Sequence, residues 1–331
     1  MNDEESGKTA RRNMAEVTVV IPNYNGKTLL ENCIKTLEQQ TLQDFKLLIV
    51  DNGSTDGSTE LTSEILDMEI VKLEENAGFC KAVNLGIKKT KTPYVILLNN
   101  DTEADPYFVE ELLKGIKQSQ DIFSGSAMML DFTKRDIIDN AGDLYLPLGW
   151  ARARGKGKLE SAYTKETDIF SSCGGAVIYR MEMLCRTGLF DERHFAYLED
   201  VDLGYRARIM GYRNRYFPAA KVYHVGSATT GTRYNEKKVY LAARNTIFVI
   251  YKNMPLGQRI VNMPFLLLGV LIKWLFFVRR GFGGEYLTGI KEGIRECRGC
   301  KKVEFEKQPV SRYVKLEIEM ISNIFRIFVG K

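Results

Sequence analysis

The sequence has few of the residues that form disulfides and metal sites in small proteins. Among its 331 residues there are only two histidines and six cysteines. A chain of this length forms its own hydrophobic core without a disulfide framework, so we expect reduced thiols in a cytosolic setting. One Cys-x-x-Cys pair, Cys297 and Cys300, stands without the further ligands that a zinc site requires. Residues 1–14 are polar and charged, unlike a secretory signal, and predict a flexible tail.

Two common nucleotide-binding motifs are also absent. The sequence contains neither a Gly-x-Gly-x-x-Gly fingerprint nor a P-loop, which argues against a dehydrogenase and a P-loop enzyme. The net charge is only +5. Because no stripe of interleaved basic and aromatic residues is present, we expect no nucleic-acid partner. Apolar residues make up 44% of the chain, which excludes global disorder.

Apolar runs alternate with helical periodicities over the first hundred residues. They predict strands at 16–22, 46–51, 69–73 and 94–98, and helices through 29–37, 61–66 and 79–89. Strands and helices in this alternation are typical of a doubly wound, mostly parallel sheet. The run from Tyr94 to Leu98 is apolar throughout, which predicts a strand covered on both faces.

Polar loops follow three of the predicted strands, at residues 22–26, 51–58 and 99–101. Taken singly, each loop is typical of a structural turn. Right-handed crossovers would bring these strand ends to one edge of the sheet, where ligands bind in open α/β folds. Three polar loops at one edge therefore predict a nucleotide pocket. Asp101 would supply a hard oxygen ligand for Mg²⁺ or Mn²⁺ carrying a diphosphate.

The middle of the chain contains a basic run and a pair of glycines. Residues 152–158 are interpreted either as a solvated loop or as a mobile segment that meets a diphosphate or an anionic acceptor. Gly174 and Gly175 precede a further predicted strand. Because they lack side chains, the backbone there can approach a ligand closely.

Three carboxylates in four residues, Glu199, Asp200 and Asp202, cluster at a predicted helix start. Acidic residues in that position either complement the helix dipole or present a general base. His224 follows a later predicted strand. A lone histidine is more often structural than a metal ligand, but this imidazole would complete the coordination begun by Asp101.

Seven stretches carry a family resemblance over about residues 16–230: VTVVIPNYNG, LLIVDNGSTDGS, ENAGFCKAVNLG, YVILLNNDTEAD, SSCGGAVIYR, FDERHFAYLEDVDLGYRARIMGY and VYHVGSAT. Together they resemble the family 2 glycosyltransferases. The implied fold is the Rossmann-like GT-A α/β fold, with a mostly parallel central sheet, flanking helices and a helical C-terminal extension. The spacing looks closest to bacterial rhamnosyltransferase-like members, which use dTDP-rhamnose or sometimes UDP-sugars to build cell-surface polysaccharides.

The resemblance implies a role for each matching position. Asp51 would accept a hydrogen bond from a pyrimidine base. The implied donor site comprises Pro22, Tyr24, Asn25, Asp51, Asn76, Gly78, Lys81, Asn99, Asn100 and Asp101. The implied catalytic pair is Asp200 with Glu199, the acceptor residues are Gly174, Gly175 and Asp202, and the metal ligands are Asp101 and His224. The first Asp of the family's DxD motif is Asn99 here, which weakens the electrostatic hold on the sugar or the metal.

The implied activity is inverting, metal-dependent sugar transfer with Mg²⁺ or Mn²⁺ as cofactor. The expected donor is dTDP-L-rhamnose, with a UDP-sugar as the alternative, and the expected acceptor is a hydroxyl of a lipid-linked saccharide. Two rivals are a catalytically silent nucleotide-sugar-binding protein and a sugar-nucleotide pyrophosphorylase. The first would lack Asp101 or the pair Glu199 and Asp200. The second would carry a Gly-rich basic loop where residues 22–26 stand.

The composition changes after the predicted catalytic domain at 15–235, whose donor and acceptor halves divide near residue 105. In the helical region 236–331, residues 260–278 are almost wholly apolar. This run predicts a helix in the membrane plane, a spanning helix, or a core or dimer helix. The periodic residues Val314, Ile318, Ile321, Phe325 and Phe328 predict an amphipathic helix for core, partner or lipid. We expect a peripheral protein on the cytoplasmic face of the cell membrane, and a homodimer is left open.

Overall fold

The computed structural model describes residues 15–226 and 234–329. The predicted tail at residues 1–14 lies outside these ranges, as does the end of the VYHVGSAT stretch. Twelve strands are found within the described residues. They are β1 Val17–Asn23, β2 Lys46–Asp51, β3 Asp67–Lys72, β4 Tyr94–Leu98, β5 Thr102–Ala104, β6 Ile122–Asp131, β7 Ile138–Asn140, β8 Asp143–Tyr145, β9 Ala151–Ala153, β10 Thr167–Ile169, β11 Ala176–Arg180 and β12 Arg213–His224.

One mixed sheet organises the molecule, with its main strands in the order β10-β12-β6-β11-β4-β1-β2-β3. The half that carries the predicted donor loops is parallel, since β1 pairs in parallel with β2 and β4, and β2 with β3. Strand β11 runs antiparallel between β4 and β6. The polar loops after β1, β2 and β4 consequently meet at one edge of the sheet, as predicted.

The helices cover both faces of this sheet and extend beyond it. They are α1 Lys27–Leu37, α2 Phe79–Lys89, α3 Phe108–Lys117, α4 Met181–Thr187, α5 Glu199–Ile209, α6 Glu236–Asn253, α7 Leu256–Val278, α8 Gly283–Glu296 and α9 Val310–Val329. Side chains alternate along a strand, so Val19 of β1 packs with Leu30 of α1 on one face. Its neighbour Val20 packs with Val83 of α2 on the other.

The predicted helix through residues 61–66 is wrong. A single helical turn, Ser58–Glu60, ends at Leu61, whose backbone is extended. The hydroxyl of Ser63 then accepts hydrogen bonds from the backbone N–H groups of Ile65 and Leu66. Local bonds of this kind offer the backbone an alternative to the helical ladder. These residues therefore form an irregular loop despite their helical periodicity, with Leu66 buried and Ile65 exposed.

The C-terminal helices begin as part of the sheet domain and end on its surface. Helix α6 packs on α5, and α8 packs on α6. Helix α7, in contrast, buries only Asn262, Leu266 and Gly269. It is long and apolar enough to cross a membrane, and its most apolar stretch is 17% buried. The alternative in which residues 260–278 form a buried core helix is therefore contradicted.

The amphipathic prediction for α9 identified a face that points away from the protein. Val314, Ile318, Ile321 and Phe325 are all exposed, and the side chain of Phe328 lies outside the part that the structure describes. The side that contacts the protein instead carries Tyr313, Leu316, Met320 and Asn323, which are buried. Periodicity located a helix with an apolar stripe, but it could not tell which stripe meets the protein.

Candidate active site

A cleft of about 680 Å³ opens at the edge where the predicted loops meet. Its walls come from the ends of β1, β2, β4 and β12, the start of β11, the start of α5 and the first turns of α6. The lining residues are Pro22, Asn23, Tyr24, Asn52, Asn76, Gly78, Phe79, Asn99, Asn100, Asp101, Cys173, Gly174, Gly175, Phe195, Ala196, Tyr197, Glu199, Asp200, His224, Asn235, Lys237, Lys238 and Leu241. The predicted metal ligand Asp101 and the predicted base Asp200 thus face one cavity.

The donor side of the cleft is held together by amide and carboxylate side chains. Asp51 is 1% exposed and does not appear on the cleft wall. Its carboxylate accepts hydrogen bonds from Asn23 Nδ2 at 3.1 Å and from the backbone N–H of Ser54 at 2.9 Å. The structure therefore places Asp51 beneath the wall, where it orients Asn23, whereas the resemblance assigned it to the base itself.

Asn52 is a lining residue that the sequence analysis missed. Its Nδ2 donates to Asn76 Oδ1 at 3.1 Å, and its Oδ1 accepts from the backbone N–H of Ala77 at 2.9 Å. These bonds connect the loop after β2 to the start of α2. Its position directly after Asp51 was the available signal. Gly78 also lines this wall. Its φ angle is +89°, and a side chain at this position would clash with the ring of Phe195.

Besides Asp51, two further predicted donor residues lie away from the cleft wall. Asn25 is exposed with φ +48°, and its Oδ1 accepts from the backbone N–H of Thr55 at 2.8 Å. It therefore joins the loops after β1 and β2 instead of lining the cavity. Lys81 is exposed on α2 and is not among the lining residues. Pro22, Tyr24, Asn76, Gly78, Asn99, Asn100 and Asp101 do line the cavity.

The predicted metal corner brings Asp101 and His224 together. His224 Nε2 lies 3.3 Å from Asp101 Oδ1, and its Nδ1 lies 2.9 Å from Asp139 Oδ2. Burial by itself would lower the pKa of His224, but its hydrogen bonds to the two carboxylates outweigh burial and raise the pKa to about 9. Burial would likewise raise the pKa of Asp139, and hydrogen bonds from His224 and Lys156 instead lower it to about 2.

The ligand chemistry at this corner fits a cation that arrives with a phosphate group. Within the described residues, no cluster of three or more His, Cys, Asp and Glu is arranged to hold a metal. One carboxylate and one imidazole, of Asp101 and His224, nevertheless line the same cavity. Mg²⁺ is commonly held by one or two carboxylates together with substrate phosphates and water. Asp101 and His224 suit that arrangement better than a permanent metal site.

The acidic pair stands at the first turn of α5 and lines the same cleft as the metal corner. Asp200 accepts hydrogen bonds from the backbone N–H of Gly174 at 3.0 Å and of Val201 at 2.7 Å. Burial raises the pKa of Asp200 even though these donors act against the rise. Glu199 is 7% exposed, and its Oε2 has no hydrogen-bond partner in the described part of the chain. Burial and the charge of Asp200 raise its pKa well above the usual range.

Asp202 does not belong to the cleft, which corrects its assignment to the acceptor site. Its side chain is fully buried and accepts hydrogen bonds from Arg206 at 3.1 Å, Lys252 at 2.8 Å and Asn253 at 2.8 Å. Burial opposes ionisation, but the adjacent Lys252 and Arg206 hold the pKa of Asp202 well below its usual range. Asp202 therefore joins α5 to α6.

The turn that precedes the acidic pair is strained, and α6 holds it. Phe195, Tyr197 and Leu198 all have positive φ angles, between 62° and 74°. Such angles are unfavourable for residues with side chains. Asn245 of α6 donates from its Nδ2 to the carbonyls of Ala196 at 2.9 Å and Tyr197 at 2.8 Å. No sequence motif marked Asn245, because it is a single amide within an ordinary helix.

The basic run at 152–158 is ordered and lies off the cleft wall. Its first residues form β9, which pairs with β8. The guanidinium of Arg154 lies over the rings of Tyr163 and Tyr216, at 4.7 and 5.2 Å from their centroids. Lys156 forms an ion pair with Asp139. This run therefore lies away from the cleft in which a diphosphate is expected, and a contact with an anionic acceptor stays a prediction. The lysines that do line the cleft are Lys237 and Lys238.

A family comparison matches the half of the chain that carries most of this site. The family model described as Glycosyl transferase family 2 matches residues 18–185. A relative named N-acetylglucosaminyl-diphospho-decaprenol L-rhamnosyltransferase, from Mycobacterium tuberculosis, is 25% identical over 239 residues, which cover 64% of this chain and 77% of the relative. Teichoic acid poly(glycerol phosphate) polymerase of Staphylococcus epidermidis is 33% identical over 101 residues. That match covers 29% of this chain and 14% of the polymerase.

Solved structures with the same fold are distant in sequence. GalNAc-T7 with UDP, GalNAc and Mn²⁺ superposes with a TM-score of 0.58 at 16% identity, over 72% of this chain and 48% of that one. The mannosyltransferase PcManGT from Pyrobaculum calidifontis, with GDP-Man and Mn²⁺, gives 0.54 at 15% identity, over 94% and 86% of the two chains. S. aureus TarS 1-349 with UDP-GlcNAc gives 0.52 at 16% identity, over 89% and 98%. The predicted fold class is confirmed.

Proposed function

Because this chain belongs to glycosyltransferase family 2, we propose that it transfers a sugar, with inversion, from a nucleotide-sugar donor to a hydroxyl of a lipid-linked saccharide. The predicted family and the glycosyltransferase class of enzyme are confirmed. The observation that carries the mechanism is that Asp101 and Asp200 line one cleft. Asp101 and His224 would hold a divalent cation, Mg²⁺ or Mn²⁺, which would offset charge on the departing diphosphate.

The residues that would bind the donor and the residue that would act as the base lie in different parts of the cleft wall. Tyr24 and Pro22 would flank the base of the donor, and the amides of Asn99 and Asn100 would bind its sugar or diphosphate. Asp200 takes the proton of the acceptor hydroxyl as that oxygen bonds to the anomeric carbon. The bond from that carbon to the diphosphate breaks at the same time, and its electron pair leaves with the diphosphate. Attack from the opposite side inverts the anomeric configuration without a covalent enzyme intermediate.

The environment of Asp200 supports its assignment as the base. Two backbone N–H groups hold its carboxylate in place, so no side chain must be ordered when the acceptor arrives. Burial raises its pKa, and a more basic carboxylate takes up a proton more readily. Glu199 lines the same cavity beside it, and its Oε2 is buried without a hydrogen-bond partner in the described part of the chain.

For the donor we propose dTDP-L-rhamnose first and a UDP-sugar as the alternative. The mycobacterial relative is named an L-rhamnosyltransferase, and the match spans 77% of its length. Two of the solved structures hold UDP or UDP-GlcNAc, which keeps the second donor class in view. Those proteins are only 16% identical to this chain, so they bear on the fold and not on the choice of sugar.

The direct test is a panel of nucleotide sugars assayed for hydrolysis and transfer with Mn²⁺. We expect turnover with one donor, and we expect Asp200→Asn to lower it by about 10²–10⁴-fold while nucleotide binding is kept. Asp136→Asn, the same change at an exposed site, should have no effect. Binding of nucleotide sugars with no turnover of any donor would favour the catalytically silent binding protein. Near-normal turnover in Asp200→Asn would refute the assigned base.

We propose a location on the cytoplasmic face of the cell membrane, and the exposed apolar faces of α7 and α9 support contact with a membrane. Apolar residues exposed by 42% to 65% cover α7: Leu256, Ile260, Val261, Met263, Phe265, Leu267, Leu268, Leu271, Ile272, Leu275 and Val278. Between the start of α7 and α9 lies an apolar groove of about 430 Å³, lined in part by Val261, Val310 and Val314. Exposed apolar surface on this scale marks an interaction site in a soluble domain.

The charges around this surface favour a lipid bilayer over a second protein copy. Residues 256–278 contain no Asp or Glu, and their only charged side chains are Arg259 and Lys273. Arg279 and Arg280 follow at the end of the helix. Basic residues beside an apolar helix are attracted to anionic lipids. A lipid-linked acceptor would be presented at the same surface, and the name of the mycobacterial relative includes a decaprenol-linked substrate.

Point substitutions test the membrane surface without removing helices on which the core depends. Leu267 and Leu271 are 62% and 48% exposed on α7. We expect the full chain to sediment with anionic vesicles, and the double change Leu267→Glu and Leu271→Glu to leave it in the supernatant. Ile65→Glu, at an apolar residue that is 64% exposed elsewhere, is the matched control. Equal sedimentation of all three proteins would refute the membrane surface. A change in oligomeric state alone would identify a dimer surface.

A further inference from the structure

Both ring nitrogens of His224 are engaged, and only one of them faces the cleft. Nε2 points toward Asp101 at 3.3 Å, whereas Nδ1 contacts Asp139 Oδ2 at 2.9 Å. Asp101 and His224 line the cavity, but Asp139 does not. The carboxylate of Asp139 therefore approaches the imidazole from the side away from the donor. The sequence analysis did not single out Asp139.

The backbone around Asp139 is fixed by strand pairing on both sides of β6. His224 of β12 pairs with Asp131 of β6. Asn140, the residue after Asp139, pairs with Met129 of the same strand. The backbone N–H of Gly157 donates to Ile138 at 2.8 Å and closes the other side of β7. Asp139 of β7 and His224 of β12 are thus both held beside β6, so their contact does not depend on a flexible loop.

We propose that Asp139 is a positioning residue that holds the imidazole of His224 for a divalent cation. An imidazole that binds a cation through Nε2 must carry its proton on Nδ1. A carboxylate acceptor at Nδ1 selects that tautomer, fixes the ring and makes Nε2 a stronger ligand. Asp139 supplies that acceptor. In this tautomer Nε2 carries no proton, and it is the nitrogen that faces Asp101. This inference rests on the proposed metal-dependent transfer.

A purely structural role for Asp139 would make a different prediction. Asp139 also pairs with Lys156, whose side chain is 52% exposed. If the ion pair with Lys156 were the reason for Asp139, removal of Lys156 would have the same consequence as removal of Asp139. If Asp139 acts through His224, removal of Lys156 should matter little, because an exposed ion pair contributes little on its own.

The experiment measures Mn²⁺ binding to the full chain in the presence of UDP, by electron paramagnetic resonance of free Mn²⁺. We expect Asp139→Ala to weaken Mn²⁺ binding by about 10–100-fold, the usual effect of losing such a partner. Asp139→Asn keeps an oxygen that accepts from Nδ1 and should recover part of that loss. Lys156→Gln and Asp136→Asn should bind Mn²⁺ as the unmodified chain does. UDP binding in EDTA should be equal in all of them, since it does not involve the cation.

Results that differ from these expectations would refute either the positioning role of Asp139 or the metal site itself. Unchanged Mn²⁺ affinity in Asp139→Ala would refute the positioning role, and so would an equal loss in Lys156→Gln. A parallel loss of metal-free UDP binding in Asp139→Ala would indicate general damage to the cleft and would also refute it. If UDP did not increase Mn²⁺ binding to the unmodified chain, the metal site and this inference would both fail. Sugar transfer measured in EDTA would then decide separately whether the proposed transferase activity stands.

Discussion

Replacing Asn245 with alanine tests whether α6 shapes the active site. Asn245 is fully buried, and its Nδ2 donates to the carbonyls of Ala196 and Tyr197 at 2.9 and 2.8 Å, next to the acidic pair. It also reaches His194 at 3.0 Å, but that carbonyl keeps a second donor in Arg244 at 3.2 Å. The substitution therefore withdraws a donor from two carbonyls of a strained turn.

The size of the effect follows from those two carbonyls. A buried acceptor that loses its donor costs about 1–3 kcal/mol, which sets a range of about 2–6 kcal/mol for the pair. Ala196 and Tyr197 line the cleft, so water can reach them and the loss should fall near the lower end. The positive φ angles of Phe195, Tyr197 and Leu198 each store about 1–3 kcal/mol, and that strain favours relaxation of the turn.

We therefore expect Asn245→Ala to stay folded, to lose about 2 kcal/mol of stability, and to lose turnover by about 10²-fold, since a shift of about 1 Å in a catalytic group has that effect. Donor binding should change less than turnover, because most of the predicted donor residues follow β1, β2 and β4, although Phe195 of the turn packs on Gly78. Chemical denaturation, calorimetry with UDP and a transfer assay measure these three quantities on the same protein.

Asn323→Ala is the matched control. Asn323 of α9 is also fully buried, and its Nδ2 donates to the carbonyl of Tyr145 at 3.0 Å. This change should lower stability by about 1–3 kcal/mol and leave turnover intact. Normal turnover in Asn245→Ala, or an equal loss of turnover in Asn323→Ala, would refute the idea that α6 positions the acidic pair.

Three further changes have defined outcomes. Gly78→Ala should weaken UDP binding and lower the melting temperature, since the residue has φ +89° and a Cβ would lie 2.6 Å from the ring of Phe195; unchanged calorimetry would contradict this. Asp101→Ala should remove only the Mn²⁺-dependent part of donor affinity, so that EDTA makes it equal to the unmodified chain. Lys252→Met should destabilise the fold by about 3 kcal/mol at neutral pH. The pKa of Asp202 is depressed in the folded protein, so the ionised carboxylate stabilises the fold above its unfolded pKa of about 4, and this stabilisation is lost as the pH falls below that value. The difference in free energy of unfolding between Lys252→Met and the unmodified protein should therefore become smaller in denaturation series at acidic pH.

The donor half of the fold was the most predictable part. The apolar runs of β2 and β4 and the periodicity of α2 coincide with the predicted boundaries. Each of these elements depends on a pattern of neighbours in sequence, and parallel pairing brings their ends to one edge whatever the details of packing. Seven of the ten predicted donor residues therefore line the cleft.

Asp202 shows where a local pattern was read too simply. It was grouped with Glu199 and Asp200 because three carboxylates stand close together in sequence. On a helix, however, residues two positions apart project to different sides. Asp200 faces the cleft, and Asp202 turns inward to Lys252. The helical period of α5 already contained this distinction.

The sequence by itself determined the family, the order of the donor strands and the acidic pair at the start of α5, because motifs and periods are set by residues close along the chain. Only the tertiary structure decided that Asp139 meets His224, that Asn245 holds the turn before Glu199, and that the apolar stripe of α9 faces outward. Those contacts join residues about 50 to 85 positions apart, or depend on what covers a helix. The periodicity of a sequence indicates that one face of a helix is apolar, but the packing of the whole chain determines what that face contacts.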